Sequence, residues 1–327
     1  MLSTLLLNAN IWQELKPLWI TLIVVSSIIA LVLLISLIMF MLVCYVKTRK
    51  PYGANEFPIP RGKAYEPFAE KMKEGIRLFR KLEAEEFSVR TDDGLILKGK
   101  YFEFFPNATI EIMFPGYRGN AERDLSGGVI RARLAGHNVL VVDNRASGNS
   151  QGHIITFGIK EHKDCLKWID LVIKEKGENV KIILSGISMG ASTVLMASGY
   201  ELPKNVIGVI ADCGYTAPSK IIKTVIKKIH LPEWLIYPFI WLGARVFGGF
   251  DLNSISPEEM VAKSTLPTIF FHGEADAFVP MYMSVENYEK CSGPKKKLVT
   301  IKGAAHGLAF MLAEEEYVNE VKNFFNE

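Results

Sequence analysis

The sequence predicts an α/β domain, with helices on both faces of a mostly parallel sheet, preceded by one N-terminal transmembrane helix. Three observations lead to this prediction. Residues 18–46 carry no charged side chain. Two strand patterns joined by a turn signal lie within residues 87–104. From residue 109 onward, short apolar runs are mostly separated by helical patterns. Such alternation is typical of parallel strands that are covered on both faces.

The uncharged run of residues 18–46 is long enough to cross a membrane. As a helix it would span about 43 Å at roughly 1.5 Å per residue, whereas the hydrocarbon core is about 30 Å thick, so one tilted crossing fits. A cleaved signal peptide is the alternative. It fits poorly because the run is too long, no basic segment precedes it and no A-x-A site follows. We therefore predict a short N-terminal segment at residues 1–16 and an uncleaved transmembrane helix at residues 17–46.

Basic residues predict the orientation of this helix. Before it stand only Lys16 and Glu14, whereas Lys47, Arg49 and Lys50 follow it directly. Because cytoplasmic flanks carry the excess of lysine and arginine, we predict a single-pass membrane protein whose C-terminal domain lies in the cytoplasm. Unpaired cysteines are consistent with a reducing compartment. The opposite orientation, with the domain outside the cell, is the alternative.

Residues 47–85 are predicted to join the membrane helix to the main domain. Residues 51–60 contain proline and glycine, as linkers do. Residues 64–84 place apolar side chains at helical spacing among many charges, which indicates an amphipathic helix. Such a helix would pack on the domain or lie near the bilayer.

The domain proper is predicted to occupy residues 86–327. Its first two strands, 87–90 and 95–104, flank the turn signal Asp92-Asp93-Gly94. Buried parallel strands are then expected at residues 109–114, 139–143, 180–184, 206–211, 268–271 and 298–301. Helical patterns separate most of them, as at residues 159–174 and 314–325. This order predicts an open sheet with helices on both faces.

Composition excludes several classes of protein. The 38 Lys+Arg and 35 Asp+Glu residues nearly balance, with a formal net charge of +3. That is far from the basic surface of a nucleic-acid binder, so we predict no nucleic-acid partner. The 4 cysteines are too few and too scattered for a disulfide scaffold or a zinc site. We expect neither a metal nor a cofactor.

Ser188 is the predicted nucleophile. Residues 186–190 read Gly-Ile-Ser-Met-Gly, a G-x-S-x-G pattern that directly follows a predicted strand and precedes a helical run. The glycines let the strand and the helix approach each other, while a sharp turn exposes the serine Oγ at the carboxyl edge of the sheet. A glycine-rich loop with an incidental serine is the alternative. The strand–turn–helix context makes the nucleophile the stronger interpretation.

His306 is the predicted base, which a serine hydroxyl needs in order to attack near neutral pH. It follows the last predicted strand and precedes the closing helix, within residues 303–307 (Gly-Ala-Ala-His-Gly). His272, at the end of the preceding strand, is the rival. The other histidines lie in contexts that suit solvated or structural roles.

Asp276 is the predicted acid that orients the histidine. It follows the penultimate strand, with Glu274 two residues earlier as a rival. Asp212, after the strand at residues 206–211, is a second rival, because some folds of this class take the acid from that position. The resulting order of Ser188, Asp276 and His306 matches the order serine, acid, histidine.

Residues from about 86 to 327 resemble the α/β-hydrolase fold family. Within it they are similar to bacterial membrane-anchored hydrolases of the serine-aminopeptidase-like and prolyl-oligopeptidase-like groups. Residues 114–120 (FPGYRGN) resemble the family's turn after the third strand, and residues 143–152 (DNRASGNSQG) resemble its turn after the fourth. The resemblance implies an oxyanion hole formed by the backbone N–H groups of Tyr117 and Met189. This sequence departs from the family at Pro115, where histidine is usual.

Residues 217–256 form an insertion after the sixth strand, where this fold carries its lid; we call them the lid segment. Apolar residues fall on one face of residues 219–230, and a Leu-Pro pair then ends that helix. The stretch that follows is rich in aromatic residues. The lid segment either packs on the domain or forms an apolar roof over an acyl group.

These observations predict a serine hydrolase that cleaves an ester through an acyl-enzyme. The expected substrate is a small or lipid-like acyl compound. Because the lid segment offers few carboxylates to hold an ammonium group, chiefly Glu233 and Asp251, an ester is favoured over a peptide. An aminopeptidase-like activity on the same triad is one alternative. A catalytically silent, membrane-anchored binding module on a hydrolase scaffold is the other.

Overall fold

The structure is a computed structural model, and it describes residues 2–47 and 52–326. Among these residues, one eight-stranded sheet has the order β1-β2-β4-β3-β5-β6-β7-β8. Its strands are β1 Glu85–Arg90, β2 Ile96–Phe102, β3 Ile110–Phe114, β4 Asn138–Val142, β5 Ile182–Ile187, β6 Val206–Asp212, β7 Thr268–Gly273 and β8 Lys296–Ile301. The pairs β1–β2 and β2–β4 are antiparallel and all others are parallel. The predicted hairpin and the six predicted parallel strands are confirmed, with ends shifted by a few residues.

The helices follow the predicted alternation. They are α1 Leu2–Val43, α2 Ala69–Lys81, α3 Ala121–Ala135, α4 Glu161–Lys176, α5 Met189–Ala197, α6 Pro218–Lys228, α7 Glu233–Val246, α8 Pro257–Val261, α9 Tyr282–Lys290, α10 Ala309–Leu312 and α11 Glu314–Asn326. A single 3₁₀ turn, Glu66–Phe68, precedes α2. The predicted helices at residues 159–174 and 314–325 correspond to α4 and α11.

Alternate residues of the central strands face opposite layers of core. Ile182 and Leu184 of β5 belong to the cluster that includes Trp168 of α4 and Val194 of α5. Ile183, between them, packs instead with residues of α11 and the end of α3. Since side chains alternate along a strand, this split means that helices cover both faces of the sheet. The predicted fold class is therefore confirmed.

The N-terminal helix is longer than the sequence predicts. It runs without interruption from Leu2 to Val43, with Pro17 inside it, rather than from residue 17 to 46. The separate segment predicted at residues 1–16 is thus part of the helix, because the residues before Pro17 are themselves mostly good helix formers. By length and composition, Leu15–Val43 is long and apolar enough to cross a membrane. Arg49 and Lys50, used in the orientation argument, lie outside the described residues.

The segment between α1 and the sheet packs on the domain. Within the predicted helix 64–84, α2 buries Gly75, Ile76 and Phe79 and contacts α3. An Arg80–Glu122 ion pair, with nitrogen and oxygen 2.7 Å apart, joins the same two helices. The apolar face of α2 therefore packs on the domain, which was one of the two interpretations of this helix; the other placed it near the bilayer.

Candidate active site

Ser188 lies in the sharp turn between β5 and α5. Its backbone has φ 56° and ψ −116°, a left-handed conformation that costs a side-chain-bearing residue free energy. The flanking glycines make the turn possible. A Cβ atom on Gly186 would stand 2.2 Å from the backbone of Gly190, and one on Gly190 would stand 2.0 Å from the carbonyl oxygen of Phe114. The G-x-S-x-G spacing is therefore a steric requirement here.

The His306 ring lies between the side chains of Ser188 and Asp276. Its Nε2 atom is 3.0 Å from Ser188 Oγ, and its Nδ1 atom is 2.6 Å from Asp276 Oδ2. The loop after β8 carries the histidine, the loop after β7 carries the aspartate, and the turn after β5 carries the serine. The carboxyl ends of neighbouring parallel strands thus bring together three side chains that are far apart in sequence.

The Asp276 carboxylate is held in position by backbone donors. Its Oδ1 atom accepts hydrogen bonds from the N–H groups of Phe278, at 2.7 Å, and Val279, at 2.9 Å. The side chain is fully buried. Its other oxygen is left to accept a hydrogen bond from His306. This arrangement fixes the imidazole with Nδ1 protonated and leaves Nε2 free to accept a proton.

The two rival acids occupy other positions. Glu274 Oε1 is exposed and accepts a hydrogen bond from Thr300 Oγ1 at 3.0 Å. Asp212 is buried at the end of β6, where Oδ2 accepts a hydrogen bond from the Tyr317 hydroxyl at 3.1 Å. Burial raises the pKa of the Asp212 carboxyl to about 6. Of the three candidate carboxylates, Asp276 is the one that the structure places against His306.

The rival base His272 is committed to a structural role. Its ring is fully buried, with Nδ1 2.7 Å from Ser284 Oγ and Nε2 2.9 Å from the carbonyl oxygen of Val279. The carbonyl requires a proton on Nε2, so Nδ1 accepts the serine hydroxyl. Burial also lowers the pKa of His272. Both ring nitrogens are therefore occupied, whereas His306 faces Ser188.

The loop that carries Tyr117 lies beside the nucleophile. A Cβ atom on Gly116 would be 3.4 Å from the Cβ of Ser188. The N–H of Gly116 is fixed by a 2.9 Å hydrogen bond to Asp124 Oδ2. Met189, the other predicted donor residue, follows Ser188 directly as the first residue of α5. Pro115 is buried, and its carbonyl accepts a 3.2 Å hydrogen bond from Asn144. This contact uses the proline backbone, which histidine would also supply.

The side chains of Tyr117 and Arg118 bind the end of the N-terminal helix α1. The Tyr117 hydroxyl donates to the carbonyl oxygen of Val43 at 2.6 Å, and Arg118 Nη2 donates to that of Leu42 at 2.7 Å. The last carbonyls of a helix lack partners within it, so these donors cap α1. The sequence carries no local signal for this contact, because the partners are more than 70 positions apart.

Tyr65 also lies near the site, and the sequence analysis did not identify it. Its hydroxyl donates to the backbone carbonyl of His306 at 3.0 Å. It lies within the segment assigned only to an amphipathic helix. Burial raises the pKa of Tyr65 to about 12, so its hydroxyl stays protonated as a donor. No motif in the sequence identifies it.

Two cavities meet at Ser188. The apolar cavity has a volume of ≈ 360 Å³, and its walls come from the end of α1, from α6 and α7, and from Phe278 and Val279. The polar cavity has a volume of ≈ 570 Å³ and includes Arg61, Arg123, Asp124 and Lys228 in its lining. Both volumes fall near the range of roughly 300–1,000 Å³ for small-molecule sites. The arrangement can hold a substrate with an apolar part and a polar part on either side of the serine.

The lid segment forms two helices, α6 and α7, separated near Leu231-Pro232. The first was predicted at residues 219–230, whereas the second was not assigned from the sequence. Its apolar side chains line the apolar cavity, among them Ile221, Ile222, Val225, Ile226, Ile236 and Ile240. The two carboxylates noted in the sequence have partners. Glu233 pairs with Lys227 at 3.1 Å, and Asp251 accepts a hydrogen bond from the Trp241 indole N–H at 2.9 Å. Neither is available as an unpaired anion for a substrate ammonium group.

One group of possible metal ligands occurs among the described residues. It consists of Cys213, Asp276 and His306, whose ligand atoms lie within 4.8 Å of one another. Asp276 and His306 bind each other there, and burial raises the pKa of the Cys213 thiol well above its usual value. Because a metal requires the thiolate, this donor set fits a catalytic histidine–carboxylate pair better than a metal site.

Known proteins share this architecture. The family described as alpha/beta hydrolase fold matches residues 112–237. The uncharacterized protein YqkD of Bacillus subtilis (strain 168) is 27% identical over 192 residues, a match that covers 58% of this chain and 63% of that protein.

Two solved structures show the same fold. The Pyrococcus furiosus esterase Pf2001 is 23% identical, with a TM-score of 0.63, over 86% of this chain and 97% of that one. Est1E from Butyrivibrio proteoclasticus, solved with ferulic acid bound, is 20% identical, with a TM-score of 0.55, over 74% of this chain and 100% of that one. The sheet order, the strand–turn–helix motif and these comparisons agree that the chain has the α/β-hydrolase fold.

Proposed function

We propose that this protein is a serine hydrolase that cleaves carboxylic esters through an acyl-enzyme. The observation that carries the proposal is the hydrogen-bonded series from Ser188 to His306 to Asp276 at the mouth of the apolar cavity. A serine becomes nucleophilic when a base accepts its proton and a third group orients that base. His306 lies within hydrogen-bonding distance of both Ser188 and Asp276.

Acylation follows from this geometry. As Ser188 Oγ attacks the acyl carbon, its proton passes to His306 Nε2, and Asp276 stabilises the resulting imidazolium. The N–H groups of Tyr117 and Met189 are the proposed donors to the oxyanion. The imidazolium then gives its proton to the departing alcohol oxygen as the C–O bond breaks. This step leaves the acyl group on Ser188 and a neutral imidazole.

Deacylation reverses the roles. His306 Nε2 takes a proton from a water molecule, whose oxygen attacks the acyl carbon of the Ser188 ester. The second tetrahedral intermediate collapses, Ser188 Oγ regains its proton from His306, and the carboxylic acid leaves. The complete reaction consumes one ester and one water molecule and regenerates the enzyme.

Three observations favour an ester over a peptide. The apolar cavity offers an acyl chain a surface of aliphatic side chains. The lid carboxylates Glu233 and Asp251 are paired within the protein. Of the two solved structures compared above, Pf2001 is an esterase and Est1E was solved with ferulic acid bound. An aminopeptidase-like activity would need an anionic subsite, and both carboxylates that line the polar cavity have partners within the protein. Asp124 is paired with Arg123 at 2.6 Å, and Asp212 accepts a hydrogen bond from Tyr317 at 3.1 Å.

We further propose that α1 anchors the enzyme in a membrane. Its candidate span, Leu15–Val43, exposes large apolar side chains along most of its length, including Leu18, Ile23, Ile28 and Leu34 at more than half of their surface. In water such a surface would be costly, and a bilayer removes it from solvent.

The expected substrate preference is for medium-length acyl esters over both acetyl esters and aminoacyl amides. Each methylene that enters the apolar cavity adds up to about 0.8 kcal/mol of binding, so four more would favour the longer ester by roughly 3 kcal/mol, over a hundredfold. A p-nitrophenyl ester series from acetyl to dodecanoyl, run beside aminoacyl amides, measures this. Equal rates for esters of all chain lengths would refute the proposed acyl-binding role of the apolar cavity. Faster cleavage of the amides would indicate an aminopeptidase.

The orientation prediction places the enzyme domain in the cytoplasm. All four native cysteines are buried, so they give little background with a thiol reagent. In intact cells, a membrane-impermeant maleimide should label a Ser3→Cys variant and leave Ser88→Cys unlabelled, although Ser88 is exposed on β1. Permeabilised cells, in which Ser88→Cys should react, provide the control. Rapid labelling of Ser88→Cys in intact cells would place the domain outside.

A further inference from the structure

The last turns of α1 belong to the hydrolase domain as much as to the membrane helix. From Leu15 onward most of α1 is exposed, but Ser36 and Phe40 are buried, as is Cys44 directly after the helix. They recur every four residues and so share one face of the helix. That face packs on α7, where a Cβ atom on Gly243 would stand 2.3 Å from the carbonyl oxygen of Ser36. So close an approach of two helices requires a residue without a side chain.

The end of this helix is held in place by hydrogen bonds as well as by packing. Besides the donors from Tyr117 and Arg118, the residues after α1 pair with the chain before α4. Val46 N–H donates to the carbonyl of His153 at 2.7 Å, and Ile155 N–H donates to that of Cys44 at 2.8 Å. These contacts fix the rotation of α1, so that the same side chains always face the domain.

The side chains directed at the domain line the apolar cavity. Met39, Leu42 and Val43 of α1 share this cavity with Ser188 and with Ile236 and Ile240 of α7. Neighbouring residues on α1 face away from it. Ile38 and Met41, which do not line the cavity, are 46% and 43% exposed. One helix therefore presents one face to the space beside the nucleophile and another to its surroundings.

The length of the apolar span accommodates both roles. Leu15–Val43 contains 29 residues. A transmembrane helix needs about 20 residues to cross the hydrocarbon core. Roughly nine residues, or two and a half turns at about 3.6 residues per turn, are thus left to contact the domain beyond the core. The buried face from Ser36 onward has this length.

We propose that the membrane helix is a specificity-determining wall of the active site, in which Met39 and Val43 contact the acyl chain and limit its length. The inference rests on the proposed esterase function and deepens it, since it assigns the acyl-binding surface to named residues outside the hydrolase fold. The substrate class that suits such a wall is an ester with a straight aliphatic acyl chain. Its chain lies along the same helix that passes through the bilayer.

The test uses two matched pairs of variants in the full-length protein in detergent. Val43→Phe should shorten the cavity, whereas Ile38→Phe places the same phenylalanine side chain on the exposed face. Met39→Ala should lengthen the cavity, whereas Met41→Ala removes the same side chain from the exposed face. The measurement is kcat/KM for p-nitrophenyl esters from acetyl to dodecanoyl, with each profile normalised to the acetyl ester.

For Val43→Phe we expect a loss of about tenfold or more on octanoyl and longer esters relative to the acetyl ester, about 1.4 kcal/mol. For Met39→Ala we expect the preferred chain to become longer by at least two carbons. Ile38→Phe and Met41→Ala should keep the wild-type profile. The proposal is overturned if the cavity variants give the same profiles as their controls.

Two controls separate this inference from other failures. Labelling by a fluorophosphonate at the wild-type rate shows that a variant is folded with an intact site. If Val43→Phe fails to label, the Met39→Ala and Met41→Ala pair alone decides the question, because removing side-chain atoms introduces no clash. If the wild-type protein cleaves no ester of any length, the proposed function has failed, and this is seen before any variant is made.

Discussion

Ser188→Ala should abolish covalent labelling of the full-length protein by a fluorophosphonate probe, and should lower ester turnover by on the order of a millionfold. The probe reacts only with a serine whose proton is removed by a nearby base. Ser188 is the serine that the structure places 3.0 Å from His306 Nε2. Gel fluorescence of the labelled protein in detergent and hydrolysis of a p-nitrophenyl ester measure the two effects.

Ser150→Ala is the matched control for this experiment, since Ser150 lies in the same S-x-G sequence pattern as Ser188. Its hydroxyl donates to the carbonyl of Asp143 at 2.6 Å and accepts from the N–H of Lys98 at 2.8 Å, so it is a turn residue. Labelling should persist in this variant. Labelling that survives Ser188→Ala would refute the nucleophile. A wild-type protein that never labels would instead favour the catalytically silent binding module.

The parts of the fold that could be predicted from sequence are those with a short-range signal. Each buried strand is a continuous apolar run, and the turn at Ser188 has two glycines whose side-chain atoms would collide with backbone. The order of Ser188, Asp276 and His306 along the chain also limits the possible arrangements. Three strand-end loops in one parallel sheet then bring these residues to one edge.

The sequence favours Asp276 and His306 but does not exclude their rivals, because the choice depends on which strand ends are neighbours and where each loop turns. Asp212 and Asp276 both follow strands of the same sheet. Asp276 reaches His306 because the backbone N–H groups of Phe278 and Val279 turn its carboxylate toward the ring. Asp212 instead accepts a hydrogen bond from Tyr317 of α11, a helix that packs against Ile210 of β6.

The relation of α1 to the candidate active site was also beyond the sequence analysis. Hydrophobicity alone identifies a span and says nothing about which turns contact protein. Here Tyr117 has two separate roles. Its backbone is the proposed oxyanion donor, while its side chain holds the carbonyl of Val43. Contacts between residues so far apart in sequence follow from the tertiary fold, and neither partner has a distinctive pattern around it.

Asp276→Asn should reduce turnover by about four orders of magnitude, because loss of the orienting carboxylate has this effect in Ser-His-Asp triads. An asparagine can keep the hydrogen bonds from Phe278 and Val279 through its amide oxygen. Its NH₂ group would then face His306 Nδ1 as a donor and favour the tautomer with Nε2 protonated. That tautomer cannot accept the proton of Ser188. The change should appear in kcat for a p-nitrophenyl ester while the thermal melting temperature changes little.

Asp212→Asn is the control that tests the assignment, since it makes the same substitution at the rival carboxylate. Burial raises the pKa of Asp212 to about 6 because it disfavours the charged form, so a neutral amide should be tolerated better here than at a solvated carboxylate. The amide oxygen can still accept the hydrogen bond from Tyr317, so we expect turnover to fall by less than tenfold. If Asp212→Asn were the more damaging variant, the acid would belong after β6, and the 2.6 Å contact between Asp276 and His306 would be structural.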